Sequence, residues 1–334
     1  MKTAIIGTGF IAAYHRDALY SMGLAPDLVI SRNLERARAF APEARTAEKL
    51  TPELLDSVDC VILCTPPGEH FEIASMCLRA GKHLFCEKPL CLDPAQALEL
   101  EELSENAPCV SAVDFNNRFF SGVNRLRLLP KDVCAVSGSY LQAYHVLPAP
   151  YSWRYRDPMR ATTEIGSHLF DLIAYVTGEE IVSVRAELFN RTPRRVLRNG
   201  RMYKSGAGIT ILVENEDEAS IDFTLSGGAK GHIFLSEISE GHENDLFLSL
   251  ETSEGTLSWS NSEPHALSVC GESSSGGEAE SFAQSFSDAL HAFFTAIASG
   301  IPDPRMCTIP EAARNVLLCD AVLRSAKTGK EIGL

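Results

Sequence analysis

The chain has 334 residues, enough for about two domains. Hydrophobic residues make up 45% and charged residues 22%, which supports packed cores and excludes disorder as the default. Lysine and arginine total 30 against 44 aspartates and glutamates, for a net charge of −14. So acidic a surface repels nucleic-acid phosphates and anionic membranes.

No apolar run reaches the ~18 residues of a membrane-spanning helix. The run Met1–Gly7 lacks the long apolar region of a signal peptide. The expectation is a cytoplasmic protein with neither a nucleic-acid nor a membrane partner. None of the ten cysteines forms a C-x-x-C pair, so reduced, buried thiols are expected and no metal site.

In chain order, Thr3–Ile6 reads as a strand, Phe10–Met22 as a helix and Asp27–Ile30 as a strand. Leu34–Ala41 is helical, and the apolar run Cys60–Cys64 is a strand. His70–Ala80 is a helix ended by Gly81, and His83–Cys86 is a strand. Asp93 caps a helix that carries Pro94 at its first position and runs to Ser104; Cys109–Asp114 is a strand. Buried strands alternating with helices specify βαβ units and a parallel sheet.

The pattern changes beyond residue 118. Asp132–Val146, Val182–Val196, Gly208–Glu214 and Asp217–Leu225 favour strands, and the last alternates apolar and polar residues. Phe247–Leu250 and Thr256–Trp259 flank a hairpin turn at Ser253-Glu254-Gly255. One helix, Glu164–Thr177, interrupts these strands, and Gly178 ends it. Gly271–Ser281 reads as a mobile surface loop. Phe282, Phe286, Leu290, Phe293 and Ile297 stripe one helix face, as core packing requires. Thr308 and Glu311 have capping-box spacing at the head of a last helix reaching Ala326. The fold class is therefore α/β. An N-terminal Rossmann-type domain with a parallel sheet (1–117) precedes a C-terminal α/β domain with an open, mainly antiparallel sheet (118–334). The last helix can pack back on the first domain.

Gly7-Thr8-Gly9-Phe10-Ile11-Ala12 follows the first strand and opens the first helix. This G-x-G-x-x-A turn is the dinucleotide fingerprint: Gly7 permits the tight turn, Gly9 lets the backbone approach a pyrophosphate, and Ala12 keeps helix and strand close. The helix N-terminus adds N–H donors and partial positive charge. After the second strand the chain has Ser31 and Arg32, where an acidic residue would favour NAD. Arg32 can pair with a 2′-phosphate, so NADP(H) is favoured, with NAD(H) possible.

Three further segments carry a family likeness: Thr65-Pro66-Pro67 with His70; the run Ala80-Gly81-Lys82-His83-Leu84-Phe85-Cys86-Glu87-Lys88-Pro89; and Glu164-Ile165-Gly166-Ser167-His168-Leu169-Phe170-Asp171. Here the chain resembles the Gfo/Idh/MocA oxidoreductases, named for glucose–fructose oxidoreductase, inositol dehydrogenase and a rhizopine-catabolism protein. Phe115-Asn116-Asn117-Arg118-Phe119 is similar to the family's junction after the sixth strand. The resemblance implies the same two-domain fold and oxidation or reduction of an alcohol/carbonyl pair on a sugar, polyol or related cyclic compound. It also implies cofactor contacts from Thr65, Pro66, His70, Glu87, Lys88 and Arg118, and places Lys88 beside the nicotinamide and substrate.

The chemistry agrees. Lys88 can donate to the substrate oxygen and favour its developing negative charge. His168 can accept or return the proton, and Glu164, four residues earlier, shares its helix face and can orient it. Trp153 and Arg154 resemble a family pair near the substrate. Asp171 either takes part or braces the helix. The family's usual Asp is Glu164 here, one methylene longer, and the usual Gly-rich run before this helix is Arg160-Ala161-Thr162-Thr163. Two other readings of the fold are a glycosidase working by transient oxidation on tightly held NAD, and a non-catalytic dinucleotide sensor. The alternating strands of residues 207–251 carry apolar positions suited to a homo-dimer or homo-tetramer.

Overall fold

The computed structural model describes residues 1–129, 132–146, 148–275 and 280–334. They form two compact units. One holds Met1–Phe119 and Glu280–Val316; the other holds Phe120–Ala279 and Leu317–Leu334. The division is not a single cut near residue 117, because residues 280–316 return to the first unit. The cause is the aromatic stripe of helix Phe282–Ser299. Phe286, Leu290 and Phe293 are buried with Ile5, Ile62 and Phe85, and the Phe293 and Phe85 rings stand 5.1 Å apart. Phe282 is partly exposed and meets Tyr14 edge-on.

The first unit contains strands β1 (Thr3–Ile6), β2 (Leu28–Ile30), β3 (Arg45–Ala47), β4 (Cys60–Leu63), β5 (His83–Glu87) and β6 (Ser111–Asp114). They form a parallel sheet in the order β3-β2-β1-β4-β5-β6. β4, buried on both faces, reads as an unbroken apolar run for that reason, and β1 does so after Thr3. The order reverses between β1 and β4, and ligands of such sheets bind outside the carboxyl ends of the strands at that point. Ile6–Gly9, Cys64–Pro66, Glu87–Lys88 and Asp114 lie at those ends. The capping box is made: Thr308 N donates to Glu311 Oε2 (2.8 Å), and Glu311 N donates to Thr308 Oγ1 (3.3 Å).

The second unit has the expected open sheet. Its strands are β7 (Val133–Leu141), β8 (Ala149–Pro150), β9 (Ile181–Phe189), β10 (Arg194–Arg198), β11 (Arg201–Tyr203), β12 (Ile209–Leu212), β13 (Glu218–Leu225), β14 (Lys230–Ser236), β15 (Asp245–Thr252), β16 (Gly255–Ser260), β17 (Ala266–Val269), β18 (Glu272–Ser275) and β19 (Ile332–Gly333). The large sheet runs β18-β17-β16-β15-β7-β14-β13-β9-β19 and is antiparallel except for β7 and β14. A small sheet, β12-β10-β11-β8, stands apart from it. The single strand expected over 182–196 is two strands on different sheets, because Pro193 cannot continue a ladder. Part of the expected loop at 271–281 is β18; residues 276–279 lie outside the described residues.

Helix Ser167–Thr177 packs on the large sheet through Leu169, Phe170, Leu172, Ile173 and Val176, in one core with Ile221, Ile233, Leu235 and Leu248. Of the ten cysteines, Cys134 and Cys270 are exposed and six are buried. Burial pushes the Cys77 and Cys91 thiols up to about 12, consistent with inert packing residues. No helix among the described residues is long and apolar enough to cross a membrane.

Candidate active site

In the first unit the site starts at the turn after β1. Gly7 N donates to Ile30 O (2.9 Å) and Cys64 N to Ile6 O (2.7 Å), fixing the turn between β2 and β4. Gly7 has φ +102, a conformation that costs a side chain. Gly9 caps the first helix, Phe10–Ser21, with no side-chain hydrogen bond and no acid in the first turn. Its N–H groups therefore remain available to an anion. No atom lies within 4 Å of where a Gly9 Cβ would stand. At the end of β4 the buried Thr65 Oγ1 has no partner in the protein. This open cradle with an orphaned hydroxyl fits a dinucleotide phosphate. Thr8 Oγ1 lies 3.0 Å from Ser31 Oγ, joining the turn to the end of β2. Phe10 is 74% exposed, and Pro66 opens the turn that leads to His70. The Arg32 side chain is 83% exposed, with Glu69 Oε1 at 3.6 Å.

Three residues expected to contact the cofactor have protein partners here. His70 is buried; its Nδ1 lies 2.9 Å from Pro89 O and its Nε2 2.8 Å from Thr65 O. The two ring nitrogens thus join the backbone after β4, at Thr65, to that after Lys88, at Pro89. Burial lowers the His70 pKa, against the two carbonyls that raise it. Arg118 is buried, with Nη1 donating to Glu311 Oε1 (3.1 Å) and to Met306 O (3.4 Å). Glu87 accepts from His15 Nε2 (2.7 Å) and is buried. Apart from the His70–Thr65 contact, five residues apart, these are long-range pairings that a local motif does not reveal. His15, Glu87 and Asp114 also form a group whose ligating atoms all lie within 4.8 Å of one another, which spacing along the chain did not indicate.

In the second unit Glu164 lies on a π-helical turn, Thr162–Gly166, that runs directly into helix Ser167–Thr177 carrying His168. Such turns recur at functional sites. Glu216 caps the entry, accepting from Arg160 N and Thr162 N (both 2.9 Å). Gly166 lets the turn approach β14, for a Cβ there would stand 2.7 Å from Leu235 Cδ1. Arg154 Nε donates to Glu164 Oε2 (2.7 Å), and its guanidinium covers the Trp153 ring at 4.4 Å. Trp153, Arg154 and Glu164 are therefore brought together, and the His168 ring stands 6.1 Å from that of Tyr140. Tyr140 and Gln142 both donate to Asn244 Oδ1 (2.8 and 2.6 Å). Asp171 is buried on the same helix. Asp157, which the sequence did not single out, is pushed up to about 6 by burial and by Glu164, against Arg154 and Arg156.

Behind the π turn lies a buried charged group. Arg160 Nε donates to Glu237 Oε2 (2.7 Å), and His145 Nε2 lies 3.0 Å from the same oxygen. Burial raises the Glu237 pKa, but His145 and Arg160 outweigh it and hold the carboxyl below its ordinary range.

The model for an oxidoreductase family with an NAD-binding Rossmann fold matches residues 1–115, and that for the GFO/IDH/MocA C-terminal domain matches residues 132–258. The chain belongs to the Gfo/Idh/MocA oxidoreductase family. Levoglucosan dehydrogenase of Pseudarthrobacter phenanthrenivorans is 26% identical over 286 residues, covering 77% of this chain and 73% of that protein. Myo-inositol 2-dehydrogenase of Thermotoga maritima is 28% identical over 263 residues, covering 72% and 76%. Among solved structures, a levoglucosan dehydrogenase in complex with NADH and L-sorbose superposes with a TM-score of 0.88 at 22% identity, over 100% of this chain and 98% of that one. This Gfo/Idh/MocA member thus has the parallel Rossmann sheet and the mainly antiparallel second sheet expected of it.

Proposed function

We propose that this family member is an NAD(P)-dependent dehydrogenase acting on a secondary alcohol or carbonyl of a sugar, polyol or related cyclic compound. The observation that carries the reading is Lys88, which follows β5 at the carboxyl edge of the Rossmann sheet. The names of the relatives, dehydrogenases of levoglucosan and myo-inositol, support the substrate class.

Gly7, Thr8, Gly9, Phe10 and Ile11 hold the pyrophosphate at the helix N-terminus, with Thr65 and Pro66 beside it. The nicotinamide, when bound, accepts or returns the hydride. Lys88 donates to the substrate oxygen and stabilises its negative charge. His168 holds or releases the hydroxyl proton at its ring nitrogen. Arg154, itself steadied on Trp153, fixes the Glu164 carboxylate, and Glu164 orients His168. Ser31 and Arg32, with no acid at the ribose position, favour NADP(H), although the similar levoglucosan dehydrogenase was solved with NADH.

A panel of sugars, polyols and their keto forms, assayed with NADP and NAD, tests this. Turnover with net reduced cofactor in wild type, abolished in Lys88→Met with cofactor binding retained, supports the reading; a fully active Lys88→Met sinks it. Arg32→Ala should lower the NADP/NAD affinity ratio, and an unchanged ratio removes the NADP preference. Exposed Ile209, Leu212 and Phe247 support self-association as a dimer or tetramer, which a monomer by light scattering would refute.

A further inference from the structure

The group behind Lys88 has a charge problem. Glu87 and Asp114 are register partners on β5 and β6, and both side chains are buried. His15, from the first helix, donates from Nε2 to Glu87 Oε1 (2.7 Å), and the same nitrogen stands 3.5 Å from Asp114 Oδ2. Neither carboxylate oxygen of Asp114 accepts a hydrogen bond, and His15 Nδ1 has no partner either. The His15 ring is closed in by Phe85 and Phe286, 5.6 and 5.3 Å away.

An ionised carboxylate that accepts nothing, sealed beside a second carboxylate, is strongly disfavoured. Two remedies exist: a cation or a proton. Atoms ligating one ion at about 2.1 Å stand roughly 3 Å or more apart. The 2.7 Å between His15 and Glu87 is instead a hydrogen bond, with room for a proton only.

We propose that Asp114 is a neutral acid whose proton leaves Glu87 as the single carboxylate beside Lys88. The cluster is then a positioning group that sets the field at the Lys88 ammonium. The assignment to Lys88 rests on the function proposed above; the protonation itself does not. Burial first, then the Glu87 charge, raises the Asp114 pKa well above the usual carboxylate range, and Lys88 opposes them. The other titratable groups near enough to feel the cluster are Cys64 at the end of β4 and Cys86 on β5, on which both Glu87 and Asp114 act, and His70, on which Glu87 acts. Burial keeps Cys64 and Cys86 protonated, since it raises both thiols well above their ordinary value. An ionised Asp114 would put a second anion behind Lys88 and hold the ammonium back from the substrate oxygen.

The test compares Asp114→Asn with wild type by thermal denaturation from pH 4 to 9. The unfolded Asp114 loses its proton near pH 3.9 while the folded one keeps it, so wild-type stability falls with pH relative to the variant. The folded-to-unfolded ratio should shift in favour of Asp114→Asn by about tenfold per pH unit up to the folded pKa. A gap that stays constant or closes with pH overturns the proposal. Asp114→Ser repeats the comparison should Asn not fold. The second readout is kcat against pH. Wild type should lose activity on the alkaline side as Asp114 ionises, and Asp114→Asn should lack that limb. Superimposable profiles overturn the link to Lys88. The denaturation arm needs no substrate, so failure of the dehydrogenase reading would be seen separately, in Lys88→Met.

Discussion

The two glycines of the opening turn make opposite demands, and alanine at each should separate them. At Gly7, φ is +102, and an added Cβ would press on the Cys64 carbonyl, with the carbonyl carbon at 2.7 Å. The left-handed conformation costs a side chain about 1–2 kcal/mol. Overpacking against main chain, which cannot rotate away, adds about 1–3 kcal/mol. Gly7→Ala should therefore cost about 2–5 kcal/mol, a large part of the ~5–15 kcal/mol of a whole domain. In a unit of this size that is a fall in Tm of roughly 4–20 °C by calorimetry. At Gly9, φ is −76 and nothing lies within 4 Å of the Cβ position. Gly9→Ala should stay within about 1 kcal/mol of wild type, since the poorer cap offsets the entropy gain. Its methyl would instead occupy the cofactor's approach, and a clash of about 1.4–2.8 kcal/mol raises the cofactor Kd about 10–100-fold. Fluorescence titration with NADPH reads that number. A Gly9→Ala protein that binds cofactor as wild type does, or a Gly7→Ala protein that melts at the wild-type temperature, refutes the assignment.

Other perturbations follow from the same geometry. Arg154→Met removes the 2.7 Å bond to Glu164; at about 1.5–3 kcal/mol for a charged hydrogen bond, kcat/KM should fall roughly 10–100-fold with Tm nearly unchanged, and unaltered kinetics would remove Arg154 from the site. Phe293→Ala empties a fully buried position against Phe85 and should cost about 3–5 kcal/mol in denaturant unfolding; a loss under 1 kcal/mol would contradict this packing. Glu237 has a lowered folded pKa because His145 and Arg160 outweigh burial. Its contribution is present above the unfolded value of about 4.3 and disappears as pH falls through the folded one. Wild type should therefore lose stability relative to Glu237→Gln on acidification below about pH 4.5; a gap independent of pH there would contradict the pairing.

The Rossmann sheet was legible because its inner strands are buried on both faces and so write unbroken apolar runs such as Cys60–Leu63. The edge strand Arg45–Ala47 was not, being three residues long and only partly buried. Helix Pro52–Asp56 had a readable signal in Thr51 and Pro52. Helix Ser121–Leu128 hid behind Arg125 and Arg127, which break its apolar pattern. The motifs singled out Gly7–Gly9, Lys88, Glu164 and His168 as candidates, since each rests on local spacing. The pairings of His70, Glu87 and Arg118 with Pro89, His15 and Glu311 were not legible, because those partners are distant in sequence. Periodicity also cannot show that the helix carrying His168 begins with a wider turn, which depends on Glu216 arriving from a distant loop.

The uneven shielding of the cysteines has a practical use. Among the described residues only Cys134 and Cys270 are exposed, and both belong to the second unit. A maleimide dye at neutral pH should attach at these two sulfurs and spare the buried thiols of the dinucleotide-binding unit. An environment-sensitive fluorophore would then report on the second unit without mutagenesis and without touching the turn at Gly7–Gly9.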